Sequence, residues 1–359
     1  MKKGIYLHIP FCAKKCAYCD FYSRAASPAI VEGYVCALIK QIESTPYDNS
    51  PVGSVYFGGG TPSMLSPEQL GRIFFALKGR NIAPDAEITI ECNPEDMTEN
   101  FAVSVKALGF NRISLGVQSF EQKELTALGR SHTAEMAENA VVIAKNHFGN
   151  VSVDLMLGTP AQTKESLEAS LSRCEALQPD HISAYLMKVY ENTVFGRKGV
   201  EEADEELSEA LYLRASDFLR GLGYEHYEIS SFSLNGKYSR HNMLYWTGGE
   251  YEAFGSGACG YENGVRYRYP NGAENFISGT TEKLIEETET SASIEEESII
   301  FGLRTSRGVP LSLLSEDAKA YARELEARGF ALLTKNALRL TPKGWLLSNE
   351  IITEILLKA

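Results

Sequence analysis

Over the first 200 residues, short apolar, β-rich runs alternate with segments of amphipathic helical spacing. The runs are Gly4–Ile9, Ser54–Phe57, Glu87–Glu91, Arg112–Val117, Val151–Leu157 and His181–Leu186. Between them, Pro67–Lys78, Glu99–Leu108, Thr133–Asn146 and Lys164–Leu177 repeat apolar residues three and four apart. Strands separated by helices pair in parallel through right-handed crossovers, so the chain must build a doubly wound sheet or a barrel. Six such units fall short of the eight that close a barrel. The pattern therefore predicts an α/β fold, an open partial (β/α)6 barrel over residues 1–200.

Beyond Tyr190 the rhythm changes. An acidic helix (Asp204–Leu222), a strand-like Tyr224–Ile229 and a Gly- and Tyr-rich stretch (Tyr238–Pro270) predict an irregular α+β layer over residues 201–281. The stretch Glu282–Glu297 carries seven Glu and reads as a solvated helix face or linker. The remaining tail, counted from 282 to 359, reads as a helix (Glu316–Arg328), two strands (Phe330–Leu333 and Ala337–Leu340) around Lys335-Asn336, and a closing helix from Pro342. That order predicts a small winged-helix-like domain. A chain of 359 residues, 44% hydrophobic, is ample for two or three such cores.

Charge and hydropathy exclude several classes. With 35 Lys+Arg against 47 Asp+Glu the net charge is −12, which argues against a non-specific nucleic-acid binder. No run approaches the ~18 apolar residues of a membrane span. His8 and Pro10 interrupt the apolar N-terminal run, which reads as a strand rather than a signal peptide. A cytoplasmic protein with at most a peripheral membrane association is expected.

Seven cysteines form no even framework, and Cys12, Cys16 and Cys19 crowd into a C-x3-C-x2-C directly after the first strand. Such spacing suits a metal centre in a reducing compartment. A closed zinc site needs four ligands, and His8 would be the fourth. A four-iron cluster on three thiolates instead leaves one iron open to an exogenous ligand, and the position after the first strand favours it. Cys36, Cys92 and Cys174 read as buried structural residues.

The C-x3-C-x2-C in a six-fold βα run resembles the radical S-adenosylmethionine proteins. Tyr6-Leu7-His8-Ile9-Pro10-Phe11-Cys12 and Cys19-Asp20-Phe21 narrow the resemblance to the branch containing oxygen-independent coproporphyrinogen III dehydrogenase and the HemW-type haem chaperones. The resemblance runs over nearly the whole chain. Two features favour the chaperones: Phe21 stands where the decarboxylating enzyme has a further Cys, and only eleven residues precede Cys12, whereas that enzyme has a long N-terminal extension.

The resemblance implies a 4Fe-4S cluster on Cys12, Cys16 and Cys19, with S-adenosylmethionine beside it. In Gly58-Gly59-Gly60-Thr61-Pro62 the glycines allow close backbone approach, and the resemblance assigns the cofactor's aminoacyl part to Gly59, Gly60 and Thr61. Glu91, Gln118 and Asp154 fall near successive strand ends, where barrel sites are built. The resemblance gives them, with Arg130, contacts to the ribose and methionine groups, and adds Tyr6 and Tyr18 as cofactor contacts.

Further on, His241-Asn242-Met243-Leu244-Tyr245-Trp246 matches the H-N-x-x-Y-W motif associated with HemW proteins. Imidazole is a common haem ligand, and the resemblance makes His241 a candidate on a separate surface; packing of a loop is the bland alternative. The family's later Gly-x-Gly-Ala-His reads here Gly255-Ser256-Gly257-Ala258-Cys259; Cys259 could replace that His as a thiolate ligand, but the favoured reading is a small buried residue.

Two functions follow from the resemblance. In one, the chain binds the cluster, S-adenosylmethionine and haem, and passes haem to haem-receiving proteins. In the other it is an enzyme that decarboxylates a porphyrinogen by radical chemistry, fed by an electron donor such as flavodoxin or ferredoxin. A zinc-organised interaction protein is the distant third.

Overall fold

The computed structural model describes residues 2–358. Six parallel strands form its centre: β1 (Lys3–Ile9), β2 (Val52–Gly59), β3 (Ile82–Cys92), β4 (Arg112–Gln118), β5 (Val151–Leu157) and β6 (His181–Leu186). Each sits within three residues of its expected ends, except β3, which starts earlier. The sheet continues past both edges with β7 (Glu225–Glu228), β8 (Ser231–Ser233), β9 (Tyr251–Phe254), β10 (Cys259–Glu262), β11 (Val265–Arg268) and β12 (Leu284–Thr288). The order is β12-β11-β10-β9-β1-β2-β3-β4-β5-β6-β8-β7, an open sheet rather than a closed barrel.

The expected irregular layer is thus an extension of the same sheet. The acidic stretch is also resolved differently from its reading as linker or helix face. Its first part is the edge strand β12, exposed along its whole length, and its last part lies in the helix Ser291–Gly302. Five exposed residues including two Glu suit an edge that must not recruit another strand. A small C-terminal unit follows β12. It carries β13 (Val309–Pro310), β14 (Ala331–Leu333) and β15 (Ala337–Leu340) in an antiparallel sheet, with helices Glu316–Ala327, Pro342–Leu346 and Ser348–Leu357.

Within β1–β6 the strands alternate sharply. Ile5, Leu7, Val55, Phe57, Ile88, Ile90, Ile113, Leu115 and Val153 form the core beneath the helices. The other face is polar and largely paired within itself: Ser152 bonds His181 at 2.8 Å, His181 bonds Tyr227, and Tyr56 donates to Glu91, while Thr89 Oγ1 and Arg112 Nε stay without a partner among the described residues. Crossover helices cover the apolar face; the first, Pro28–Ser44, carries Cys36 in the helical pattern read for it and buries Tyr34, Val35, Leu38 and Ile42 against it. Its Ser27 cap accepts from Ile30 N.

The helix Arg240–Trp246 closes the N-terminal end of this polar interior. The backbone N–H groups of Arg240 and His241 donate to the Glu87 carboxylate (2.9 and 3.3 Å), which complements the positive end of the helix. Gly4 admits the helix, because a Cβ there would lie 2.5 Å from Leu244.

The C-terminal unit is pinned by Trp345. Its indole N–H donates to Leu303 O at 2.9 Å and its ring meets His226 edge-on at 4.5 Å. Only 4% of it is exposed. Trp345→Ala should cost about 3–5 kcal/mol of stability, the usual loss for a buried large aromatic, and chemical denaturation followed by tyrosine fluorescence and circular dichroism measures it.

Candidate functional site

At the C-terminal ends of β1–β6 lies a cavity of about 410 Å³ lined by Cys12, Cys16, Tyr18, Cys19, Gly59, Gly60, Thr61, Glu91, Gln118, Arg130 and Asp154, among others. Eleven of the twelve residues expected at the cluster and cofactor site thus converge. Tyr6 does not, and His241, expected on a separate surface, lies elsewhere.

The glycine turn that follows β2 is set by contact, not by flexibility. A Cβ on Gly60 would lie 2.6 Å from Phe11 O and 2.8 Å from Phe11 N, both backbone, and Gly59 has φ +110°. Gly60 N donates to Ile9 O and Thr61 N to Phe11 O, so the turn is stitched to the strand that leads into the cysteine loop. Thr61 then donates its hydroxyl to Cys12 Sγ at 3.4 Å.

Arg130 reaches the loop from the other side. Its Nη1 donates to Cys16 Sγ at 3.2 Å, and Nη2 to Asn93 Oδ1 and Gly116 O. Its Nε is buried with no partner, an orphaned donor at the cavity. Asn93 also donates to Thr61 Oγ1, tying the two halves together. Asn93 escaped the sequence reading, although its place immediately after Glu91-Cys92, at the end of β3, was the available signal.

Burial shapes the acids. Glu91 accepts from Tyr56 OH at 2.8 Å and from Gly59 N at 3.1 Å, yet desolvation pushes its carboxyl up to about 7. Desolvation raises Asp154 as well, against a hydrogen bond from Ser183 and the charge of Arg112. Gln118 ends β4 at φ +68°, a conformation that costs a non-glycine residue energy and tends to occur where a site needs it.

The three thiols are free and open on one cavity. Among the described residues no group of three or more His, Cys, Asp or Glu side chains reaches metal-holding geometry in this conformation. The donor set still fits an iron–sulfur cluster: thiols alone, a guanidinium on one sulfur, an orphaned N–H beside them, and Cys19 raised to about 11 by burial, so that its thiolate needs a strong positive partner. A zinc site completed by His8 does not fit. His8 bonds Tyr6 OH and Tyr22 O through its two ring nitrogens and does not line the cavity.

His241 corrects the expectation of a surface ligand. It is 1% exposed, Nδ1 bonds Ser54 Oγ, Nε2 bonds Tyr245 OH (3.0 Å each), and the ring stacks on Tyr56 at 5.2 Å. Both ring nitrogens face protein partners, because the helix Arg240–Trp246 points this residue inward as a plug. Tyr6 lies in the same interior stack, bonded to His8, rather than at the cofactor cavity. Cys259 and Cys36 are exposed rather than buried; Cys92 and Cys174 are buried as expected.

Residues 6–174 match the family model of the radical SAM superfamily, and residues 293–347 that of the HemN C-terminal domain. An open βα sheet that gathers three thiols at its strand ends, followed by that domain, defines a radical S-adenosylmethionine protein of the HemN type. The heme chaperone HemW of Lactococcus lactis is 33% identical over 98% of this chain and 97% of its own length. That of Bacillus subtilis is 32% identical over 97% and 98%. The chain belongs to the heme chaperone HemW family. The solved coproporphyrinogen III oxidase (HemN) of Escherichia coli shares the fold, with a TM-score of 0.84 and 21% identity over 98% of this chain and 89% of that one. No helix among the described residues is long and apolar enough to cross a membrane.

Two outcomes are expected. Gly60→Ala forces a methyl into backbone and should cost about 1–3 kcal/mol; it should also lower the iron retained after anaerobic reconstitution, measured by metal analysis. For Glu91 the folded carboxyl sits above its ordinary value of 4.5, so its contribution is most favourable at acid pH and is lost as pH rises through about 7. Glu91→Gln should therefore flatten the fall in stability between about pH 4.5 and 7, read from melting temperatures of the metal-free protein.

Proposed function

We propose that the chain is a haem carrier that holds a 4Fe-4S cluster on Cys12, Cys16 and Cys19, binds S-adenosylmethionine beside it, and delivers haem to haem-requiring proteins. The observation that carries the reading is near-full-length identity of 32–33% to proteins named heme chaperones. Phe21 supports it: this residue is 66% exposed at the cavity mouth, where the decarboxylating enzyme is expected to place a further Cys.

Each residue has a physical task. The turn at Gly59, Gly60 and Thr61 offers backbone groups to the aminoacyl part of the cofactor without a Cβ in the way. Glu91 and Asp154 present hydrogen-bond acceptors suited to ribose hydroxyls, and Gln118 a neutral amide. Arg130 has Nε free for a carboxylate while its two terminal nitrogens hold Cys16 and Asn93. Tyr18 packs beside Arg130 and the thiols. A reduced cluster supplies one-electron chemistry at the sulfonium of a bound cofactor, with flavodoxin or ferredoxin as the class of donor. The reading places the protein in the cytoplasm, with any membrane association peripheral.

Anaerobic reconstitution with iron and sulfide, then haem titration and a separate assay with S-adenosylmethionine, reductant and coproporphyrinogen, tests the reading. Haem should bind, no decarboxylated porphyrinogen should form, and replacing all three cluster cysteines with Ala should remove the brown chromophore. Robust decarboxylation would make the chain a porphyrin-pathway enzyme instead.

A further inference from the structure

With His241 sealed inside, a haem carrier of this fold needs another place for the ring. A second cavity, about 740 Å³, lies between the end of β6 and the C-terminal unit. It falls within the ~300–1,000 Å³ typical of small-molecule sites. It shares Tyr185, Leu186, Met187 and Lys188 with the cofactor cavity, so the two adjoin along one wall. Its apolar surface comes from separate elements: the exposed Tyr185 and Leu347 and the partly buried Phe330, with only the edges of the buried Tyr212 and Trp345.

The polar groups there are unevenly matched. Arg304 is half-buried, and no carboxylate among the described residues forms an ion pair with it; its Nη2 donates only to Asn349 Oδ1 at 2.9 Å. Burial depresses its basicity, the mark of a guanidinium that lacks an anion. Lys343 stands on the same cavity, exposed and without an ion pair among the described residues. Of the facing carboxylates, Glu202 is held by Lys188 at 2.8 Å, and Glu205, Glu209 and Glu350 are exposed. The interior cation is therefore the one left open to a ligand.

We propose that this cavity binds a carboxylated tetrapyrrole, with the ring between the β6 end and the Phe330–Trp345 wall and a propionate on Arg304. The proposal rests on the haem-carrier reading and assigns it a place. Among the described residues no His or Cys lines the cavity, so the ring and carboxylates are the main determinants of binding.

The full-length protein, purified without cluster or haem, is titrated with haem and with iron-free protoporphyrin, following intrinsic fluorescence quenching. Both should bind, with affinities within about threefold of each other. Arg304→Gln should weaken both tenfold or more, whereas Arg304→Lys keeps most of the affinity. Ser208→Trp, which fills the cavity from the helix Glu205–Gly221, should block both, and circular dichroism confirms that each variant is folded. If the wild type binds haem and both Arg304→Gln and Ser208→Trp titrate like it, the site is wrong and the carrier reading stands. Strong binding of haem but none of protoporphyrin would overturn it too, in favour of an iron ligand elsewhere. If the wild type binds no haem, both readings fall.

Discussion

A parallel sheet left open on one side must satisfy a polar inner face from within, and the rest of this molecule is arranged around that requirement. Arg112, 2% exposed, sits in that interior with the charges of Glu87 and Asp154 and the phenols of Tyr56 and Tyr227 around it. Burying such a cation is costly unless surrounding charge compensates. Glu87 does so while receiving the backbone of the Arg240–Trp246 helix, and that helix brings His241 to Ser54. One carboxylate thus joins the lower end of the sheet to the plug that closes it. The upper end, released from packing duty, is free to hold polar groups around a ligand.

The sheet was legible because each central strand is bounded by turn residues and followed by a strong helical period. Its extensions were not, for physical reasons. The strand β12 is fully exposed and rich in Glu, so neither alternation nor apolarity marks it; only pairing to β11 makes it a strand. The helix Pro28–Ser44 is legible around Cys36 and has readable bounds as well, since Ser27-Pro28 is a good start signal and Tyr34, Leu38 and Ile42 recur at four-residue spacing.

The cofactor cavity was legible residue by residue because strand ends are where a βα sheet exposes side chains, and Glu91, Gln118 and Asp154 could be counted off from the strands. His241 shows the limit of that method. A His near aromatic residues looks the same in sequence whether it faces solvent or the interior; what decides is the Glu87 contact that orients its helix, made across more than 150 positions of chain. Cys259 and Cys36 fail similarly, since burial is a property of neighbours that a lone residue does not announce.

The segment Tyr185–Lys188 forms part of both cavities. Two compartments with a common wall are thermodynamically linked: a ligand that shifts or stiffens the wall changes the affinity of the other compartment, and the reverse effect is equal. Loading at the strand ends would then set how firmly the neighbouring compartment keeps its cargo. The same four residues, the last two of β6 and the two that follow it, would serve as the lever between loading and release.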